Sequence, residues 1–267
     1  MSVSAGGSHR YPFVPYRPTR YPEAEMLRRG REFRDFLDSR RSVRWFSAQP
    51  VPRECIDIAI ECANTAPSGA HLQPWKFAVI GDPSIRREIR LQAEAEERQN
   101  YEGGRLPPAW RAALERLETT SDKAYLEVAP WIVVCFAEKS TVLPDGSRRK
   151  NYYVSESAGI ACGFFIAALH RMGLSTLTHT PNPMGFLNEI CQRPSTERPY
   201  ILFPVGYPAA DAEVPDLRRK TLTEVTVEIP APVTAEVRGL TSDQHTRRPR
   251  GPASRSAALP PKPTPGG

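Results

Sequence analysis

The sequence predicts one mixed domain of alternating helices and strands, and three observations carry that reading. Short apolar runs at 76–80 (KFAVI), 131–136 (WIVVCF) and 200–205 (YILFPV) have the length and side-chain types of strands. The segments between them repeat apolar residues at helical spacing. The stretch 151–172 is apolar nearly all round from 158 to 169, as a helix buried on every side would be. With 267 residues, 40% of them hydrophobic and 25% charged, the chain is long enough to bury a core around that helix.

In chain order, 1–22 reads as an irregular proline-rich arm. A helix is expected over 23–41, with Met26, Leu27, Phe33, Phe36 and Leu37 near one face. Pro52 opens a second helix, where a missing N–H does no harm, and Pro67 closes it. After the strand at 76–80, Asp82 and Pro83 read as an N-cap and first turn for a helix over 84–97. The segment 99–122 is polar and carries Gly103-Gly104 and Pro107-Pro108. It has one apolar stripe of Trp110, Leu114 and Leu117. It reads either as a mobile lid or as an ordinary surface helix hairpin. A turn is expected at 143–147, a short strand at 175–178 and a loop at 181–185. The helix at 151–172 is either the central core of one chain or shared with a second subunit. Its Gly159 and Gly163 would admit a second backbone. Pro204 assigns the 200–205 strand to an edge or a bulge. The run 230–267 is rich in proline, arginine, serine and threonine and reads as a disordered tail.

The net charge of +6 gathers partly in that tail, and no aromatic-plus-basic signature accompanies it, so nucleic acid is not indicated. Five cysteines without C-x-x-C spacing read as reduced thiols of a reducing compartment. Metal ligation is not indicated, because no two histidines stand four apart. The N-terminus lacks an apolar signal core, and the 158–169 run is too short to span a bilayer. These features predict a soluble, cytoplasmic protein.

The chemistry gathers at Arg40, Arg41, Ser42 and Arg44. Guanidinium forks and a hydroxyl suit a phosphate or other anion. Arg218, Arg219 and Lys220 form a second basic cluster. Two such clusters flanking one core fit a phosphorylated cofactor; a solvated edge is the alternative for the second. No G-x-G-x-x-G follows a strand, no G-x-S-x-G elbow exists, and no Ser/His/Asp order supports a triad. An enzyme of this kind would leave the hard chemistry to its cofactor.

Three motifs in order, RRSVRWFS, APSGAHLQPWKF and FPVGYP, resemble those of the nitroreductase superfamily of FMN flavoproteins. Gly69-Ala70-His71, EERQNY, DKAYLEVAP, THTP and VPDLRRK are similar to the iodotyrosine deiodinase branch, the halotyrosine dehalogenases. The resemblance spans about 40–227. It implies an α+β fold with a mixed central sheet flanked by helices, in a domain-exchanged homodimer with FMN at the subunit interface. It places the FMN domain at 23–229 with a lid near 99–122.

The resemblance also implies residue roles. Arg40, Arg41 and Arg219 would hold the phosphate end, with Ser42 beside them. Arg44 would face the pyrimidine edge of the flavin. Pro67, Ser68 and Gly69 would line it, and the Ala70 N–H would meet the substrate phenolate. Thr178 and Thr180 would pass beside N5, with Thr180 donating its hydroxyl there and favouring one-electron steps. His179, where relatives carry threonine, would stand behind them. Glu97, Tyr101 and Lys123 would hold the ammonium and carboxylate of a halotyrosine. Glu97 and Tyr101 stand i and i+4 at one helix end. The implied reaction is reductive dehalogenation of mono- and diiodotyrosine, and of bromo- or chlorotyrosine, with electrons from a reductase or NAD(P)H. The competing readings are a generic NAD(P)H nitroreductase or quinone reductase and a flavin-binding protein without turnover. The zwitterion-binding trio argues against both.

Overall fold

The computed structural model describes residues 10–229. They fall into two compact units that divide between Leu217 and Arg218. The first nine residues and the tail from 230, for which disorder is expected, lie outside the described residues. Residues 10–22 contain no helix or strand.

The first unit is built on four strands: β1 (Trp75–Ile80), β2 (Trp131–Glu138), β5 (Ser175–Thr176) and β6 (Glu197–Gly206), in the order β1-β2-β6-β5. A separate hairpin, β3 (Ser140–Val142) with β4 (Arg148–Lys150), encloses the expected turn. The helices are α1 (Glu23–Asp38), α2 (Arg53–Asn64), α3 (Pro83–Tyr101), α4 (Pro108–Glu115), α5 (Tyr125–Val128), α6 (Val154–Arg171) and α7 (Phe186–Ile190). Neighbouring strands of the main sheet run antiparallel. The mixed character expected of it rests on an isolated parallel bridge between Ser42 and Thr176.

β2 shows why its sequence is apolar without interruption. Val133, Cys135 and Ala137 point to the face covered by α2 and α6. Ile132, Val134 and Phe136 point to the other face, where Ile89 and Ala93 of α3, Leu126 of α5 and Leu187 of α7 pack. A strand covered on both sides has no position left for a polar residue. Phe165 of α6 joins the layers, with its ring 5.6 Å from Phe77 and 5.1 Å from Phe203.

Three elements depart from the sequence expectation. α1 stops at Asp38, because Ser39 caps it and its hydroxyl donates to the Phe36 carbonyl at 2.7 Å. Arg40 and Arg41 therefore lie beyond the helix. None of the residues of α1 is buried, so Met26, Leu27 and Phe33 leave an apolar stripe uncovered. α6 is not buried on every side within one chain: Ser157, Ala158, Ala161, Cys162, Phe165 and Leu169 face inward, while Ile160 and Phe164 are each 42% exposed. Pro204 sits in an interior strand rather than at an edge. Its place is tolerated because β5 is only two residues long. His179 and Leu202 exchange both backbone hydrogen bonds beyond that point. Pro204, two residues from Leu202, faces the same side without an N–H to give, so the ladder is interrupted between Thr176 and His179.

The second unit is described over 218–229. It holds α8 (Leu222–Val225), opened by a capping box between Thr221 and Glu224. Among the described residues no helix is long and apolar enough to cross a membrane, and no group of three metal-ligating side chains gathers.

Candidate active site

α3 supplies the floor of the candidate site. The Asp82 carboxylate caps it, accepting from the Ser84 and Ile85 N–H groups at 2.8 and 3.2 Å. Pro83 follows at the first position. The helix runs one turn past the expected end, to Tyr101, and so carries Glu97 and Tyr101 together. Its buried face begins apolar, with Ile89 and Ala93, and turns polar at Glu94, Glu97 and Asn100. The switch marks where the helix leaves the core and begins to line a cavity.

Lys123 enters from the far side of the lid segment and is almost fully buried, at 2% exposure. Its backbone N–H donates to Glu94 Oε1 at 2.9 Å. Glu94 is held in turn by Arg90 at 2.8 Å. The ammonium donates to the Thr120 carbonyl and stands 3.4 Å from Thr119 Oγ1. It lies 5.3 Å from the centre of the Tyr101 ring and 4.0 Å from Glu97 Oε2. The Tyr101 hydroxyl meets Thr119 Oγ1 at 3.5 Å. The three side chains expected to act together are thus brought together.

The opposite wall is the strap 177–183. Its ladder with β6 breaks at Pro204 and resumes at the His179–Leu202 pair, and burial alternates along it, with Leu177 and His179 buried and Thr178 and Thr180 exposed. The alternation turns both threonines to one side. Arg44 arrives from an extended segment in which Val43 and Phe46 are buried and Ser42 pairs with Thr176. Arg44, Glu97, Tyr101, Lys123, Thr178 and Thr180 line one cavity of about 580 Å³. Leu106, Trp110 and Leu114 of the 99–122 segment also line it. That segment therefore covers the site, as a lid would.

The cavity strains its own charges. Burial pulls the Lys123 ammonium below the usual lysine range, and Glu97 opposes the shift. Burial raises the Glu97 carboxyl, and Lys123 opposes that shift. At 4.0 Å the two are too far apart for a direct hydrogen bond. His179 is held neutral, its pKa lowered to about 3 by burial and then by the charges of Lys123 and Arg44. Its Nδ1 lies 3.4 Å from the Tyr125 hydroxyl, and its buried Nε2 has no hydrogen-bond partner among the described residues.

The other expected residues lie elsewhere. Arg40 and Arg41 line a separate cleft of about 230 Å³ beside His170 and Thr176. Arg41 donates to the Pro215 carbonyl. The arginine cluster is thus split between two hollows. Pro67, Ser68, Gly69 and Ala70 do not line the cavity. They lie at the start of α6, where the Gly69 N–H is 3.4 Å from Ser157 Oγ. A Cβ at Gly69 would fall 2.8 Å from the Tyr153 ring, so a larger residue there would have to displace that exposed ring. Ala70 takes a left-handed backbone conformation, φ 46°. Arg219 belongs to the second unit. A larger cleft of about 820 Å³ shares only Asn182 and Pro183 with the cavity and holds none of the expected residues.

Comparison with known proteins gives this geometry a family. Residues 37–207 match the model of the nitroreductase family. The iodotyrosine deiodinase of Haliscomenobacter hydrossis is 51% identical over 215 residues, covering 80% of this chain and 96% of its own. The zebrafish (Danio rerio) iodotyrosine deiodinase is 45% identical over 217 residues, 81% of this chain and 73% of its own. A crystal structure of oxidized iodotyrosine deiodinase, bound to FMN and 3-iodo-L-tyrosine, superposes with TM-score 0.64 at 28% identity. It covers 74% of this chain and 98% of that one. The chain belongs to the iodotyrosine deiodinase branch of the nitroreductase family. A Clostridium difficile FMN-dependent nitroreductase, TM-score 0.52 at 20% identity, shares the fold.

Asn100, Tyr125 and Asn182 are among the cavity residues that had no part in the sequence-derived site. Tyr125 and Asn182 gave no signal of their own. Asn100 did: it stands i+3 from Glu97 on the same helix face.

Proposed function

We propose that this chain removes halogen reductively from halotyrosines held over FMN, with Glu97, Tyr101 and Lys123 as the substrate-recognition residues. It is a flavin-dependent oxidoreductase of the iodotyrosine deiodinase type, and FMN is its cofactor. The observation that carries the substrate reading is the Lys123–Glu97 pair, buried together and 4.0 Å apart. A zwitterionic amino acid between them gives each the partner it lacks: Glu97 takes the ammonium, and Lys123 with the Tyr101 hydroxyl takes the carboxylate. Nitroaromatics and quinones bring no such pair of charges.

The donor set fits FMN. Arg44 offers a cation, and Thr178 and Thr180 offer hydroxyls, on one wall of the cavity. Arg40, Arg41 and Ser42 would hold the phosphate end, and Pro67, Ser68 and Gly69 would line the ring. When bound, FMN supplies the electrons for the reaction. The carbon–halogen bond breaks, halide leaves with the bonding pair, and the ring carbon gains hydrogen, a net uptake of two electrons and one proton. Thr180, which lines the cavity, would offer its hydroxyl to the bound flavin, and this makes it the proposed catalytic residue. The Ala70 N–H steadies the phenolate oxygen while the ring passes through its keto form. Trp110 and Leu114 close over the ring and exclude water.

A second copy of the chain completes the site in this reading. Pro67, Ser68, Gly69 and Ala70 lie away from the cavity of their own chain, and the outer faces of α1 and α6 are apolar and uncovered. A domain-exchanged homodimer would cover both faces and carry these residues to a partner's cavity. Free cysteines at all five positions support a cytoplasmic setting, with NAD(P)H or a reductase as the electron source.

The test is direct. FMN-loaded protein is titrated with monoiodotyrosine while flavin fluorescence is followed, and iodide is measured after dithionite reduction. Quenching and iodide release are expected. Flavin that binds but ignores halotyrosine would overturn the substrate reading, and protein that stays colourless with added FMN would overturn the whole.

A further inference from the structure

Asn100 lies between two substrate-binding residues on α3, yet its side chain points to a third place. Its Nδ2 donates to the Asn182 carbonyl at 3.1 Å. A carbonyl can only accept, so this contact fixes which amide atom faces the strap. The Asn100 backbone carbonyl accepts from the Leu106 N–H at 3.3 Å, at the root of the lid. Asn100 is buried, and Asn182 and Leu106 line the same cavity. One residue therefore joins the helix that carries Glu97 and Tyr101, the lid root, and the strap two residues beyond Thr180.

We propose that Asn100 is a positioning residue that couples closure of the lid on the substrate to the placement of the Thr180 hydroxyl. The inference rests on the function proposed above. The strap is anchored at the His179–Leu202 pair, and beyond it, among the described residues, the backbone N–H groups of Thr180 and Asn182 join no ladder, so the Asn100 contact is what holds this end. Substrate held by Glu97 and Tyr101 settles the end of α3. Through Asn100 that settling reaches the strap, so Thr180 is set for chemistry only when substrate is present. Coupling of this kind appears in the rate more than in the affinity.

The experiment uses the FMN-loaded full chain and two variants. Asn100→Asp keeps the shape and loses the donor, and Asn100→Ala loses both. The ligand is 3-fluorotyrosine, whose carbon–fluorine bond resists reduction. The readouts are its binding, the fraction of flavin held at the one-electron level during reduction, and amide hydrogen exchange over 178–183. In wild-type protein the ligand should raise the one-electron fraction and slow exchange in the strap. Both variants should lose those ligand-linked changes while binding the ligand within about threefold of wild type. With monoiodotyrosine as substrate, kcat should fall about three- to tenfold and KM should hold. Wild-type ligand responses in Asn100→Asp would overturn the inference, as would a loss confined to binding. Should Asn100→Ala fail to fold, Asn100→Asp and Asn100→Ser carry the same comparison. Failure of wild-type protein to bind halotyrosine would instead count against the function itself.

Discussion

Lys123 Nζ stands 4.0 Å from Glu97 Oε2, with the lysine almost wholly withdrawn from solvent. A buried pair left this far apart is poorly compensated, since each charge is desolvated and no direct hydrogen bond joins them. The arrangement is stable as a receptor: what the pair lacks is what a zwitterion supplies.

Removing either charge should therefore act first on affinity. Glu97→Gln and Lys123→Gln each take one charge-assisted hydrogen bond from the substrate, about 1.5–3 kcal/mol, or roughly 10- to 150-fold in Kd. Flavin content should not change. Fluorescence titration with monoiodotyrosine measures both quantities, and unaltered affinity in either variant contradicts the assigned roles.

His179 predicts a pH dependence of stability. Its folded pKa of about 3 lies below the usual 6.5. The unfolded chain therefore binds the extra proton first, between those two values. The contribution of neutral His179 is complete above about pH 6.5 and declines as the pH falls toward 3. Denaturant unfolding followed from pH 7 to pH 4 should show the loss, and His179→Gln should flatten it. An equal slope in both proteins would rule out His179 as the source.

Thr180→Ala should lower the fraction of flavin trapped at the one-electron level during stepwise reduction with ligand bound. Halide release should slow while ligand affinity stays near wild type. Absorbance during anaerobic reduction is the measurement, and an unchanged one-electron fraction would remove Thr180 from its role.

Phe33 of α1 and Phe164 of α6 are 59% and 42% exposed in the single chain. Phe33→Asp and Phe164→Asp should shift the protein from dimer to monomer and lower its flavin content together, read by sedimentation and by flavin absorbance. A variant that becomes monomeric yet retains full FMN would refute a shared site.

Much of the fold was legible because burial writes itself into period. β2 reads as a strand covered on both faces, and both faces are covered. The polar end of α3 was less legible: the helical spacing continues to Tyr101, but Glu94, Glu97 and Asn100 look like an ordinary solvated stretch until a cavity desolvates them. Pro204 misled in an instructive way. Proline does interrupt the ladder, but within an interior strand, and pairing resumes at His179 and Leu202 between Thr178 and Thr180.

The sequence by itself determined the alternation of helices and strands, the capped start of α3, and the motifs that mark the family, because each depends on neighbours along the chain. Only the tertiary structure decided that Pro67 to Ala70 lie away from the cavity of their own chain, and that Lys123 is buried rather than solvated. It alone placed Asn100 against the strap. Those outcomes depend on which distant segments exclude water from a side chain, and no local pattern records that.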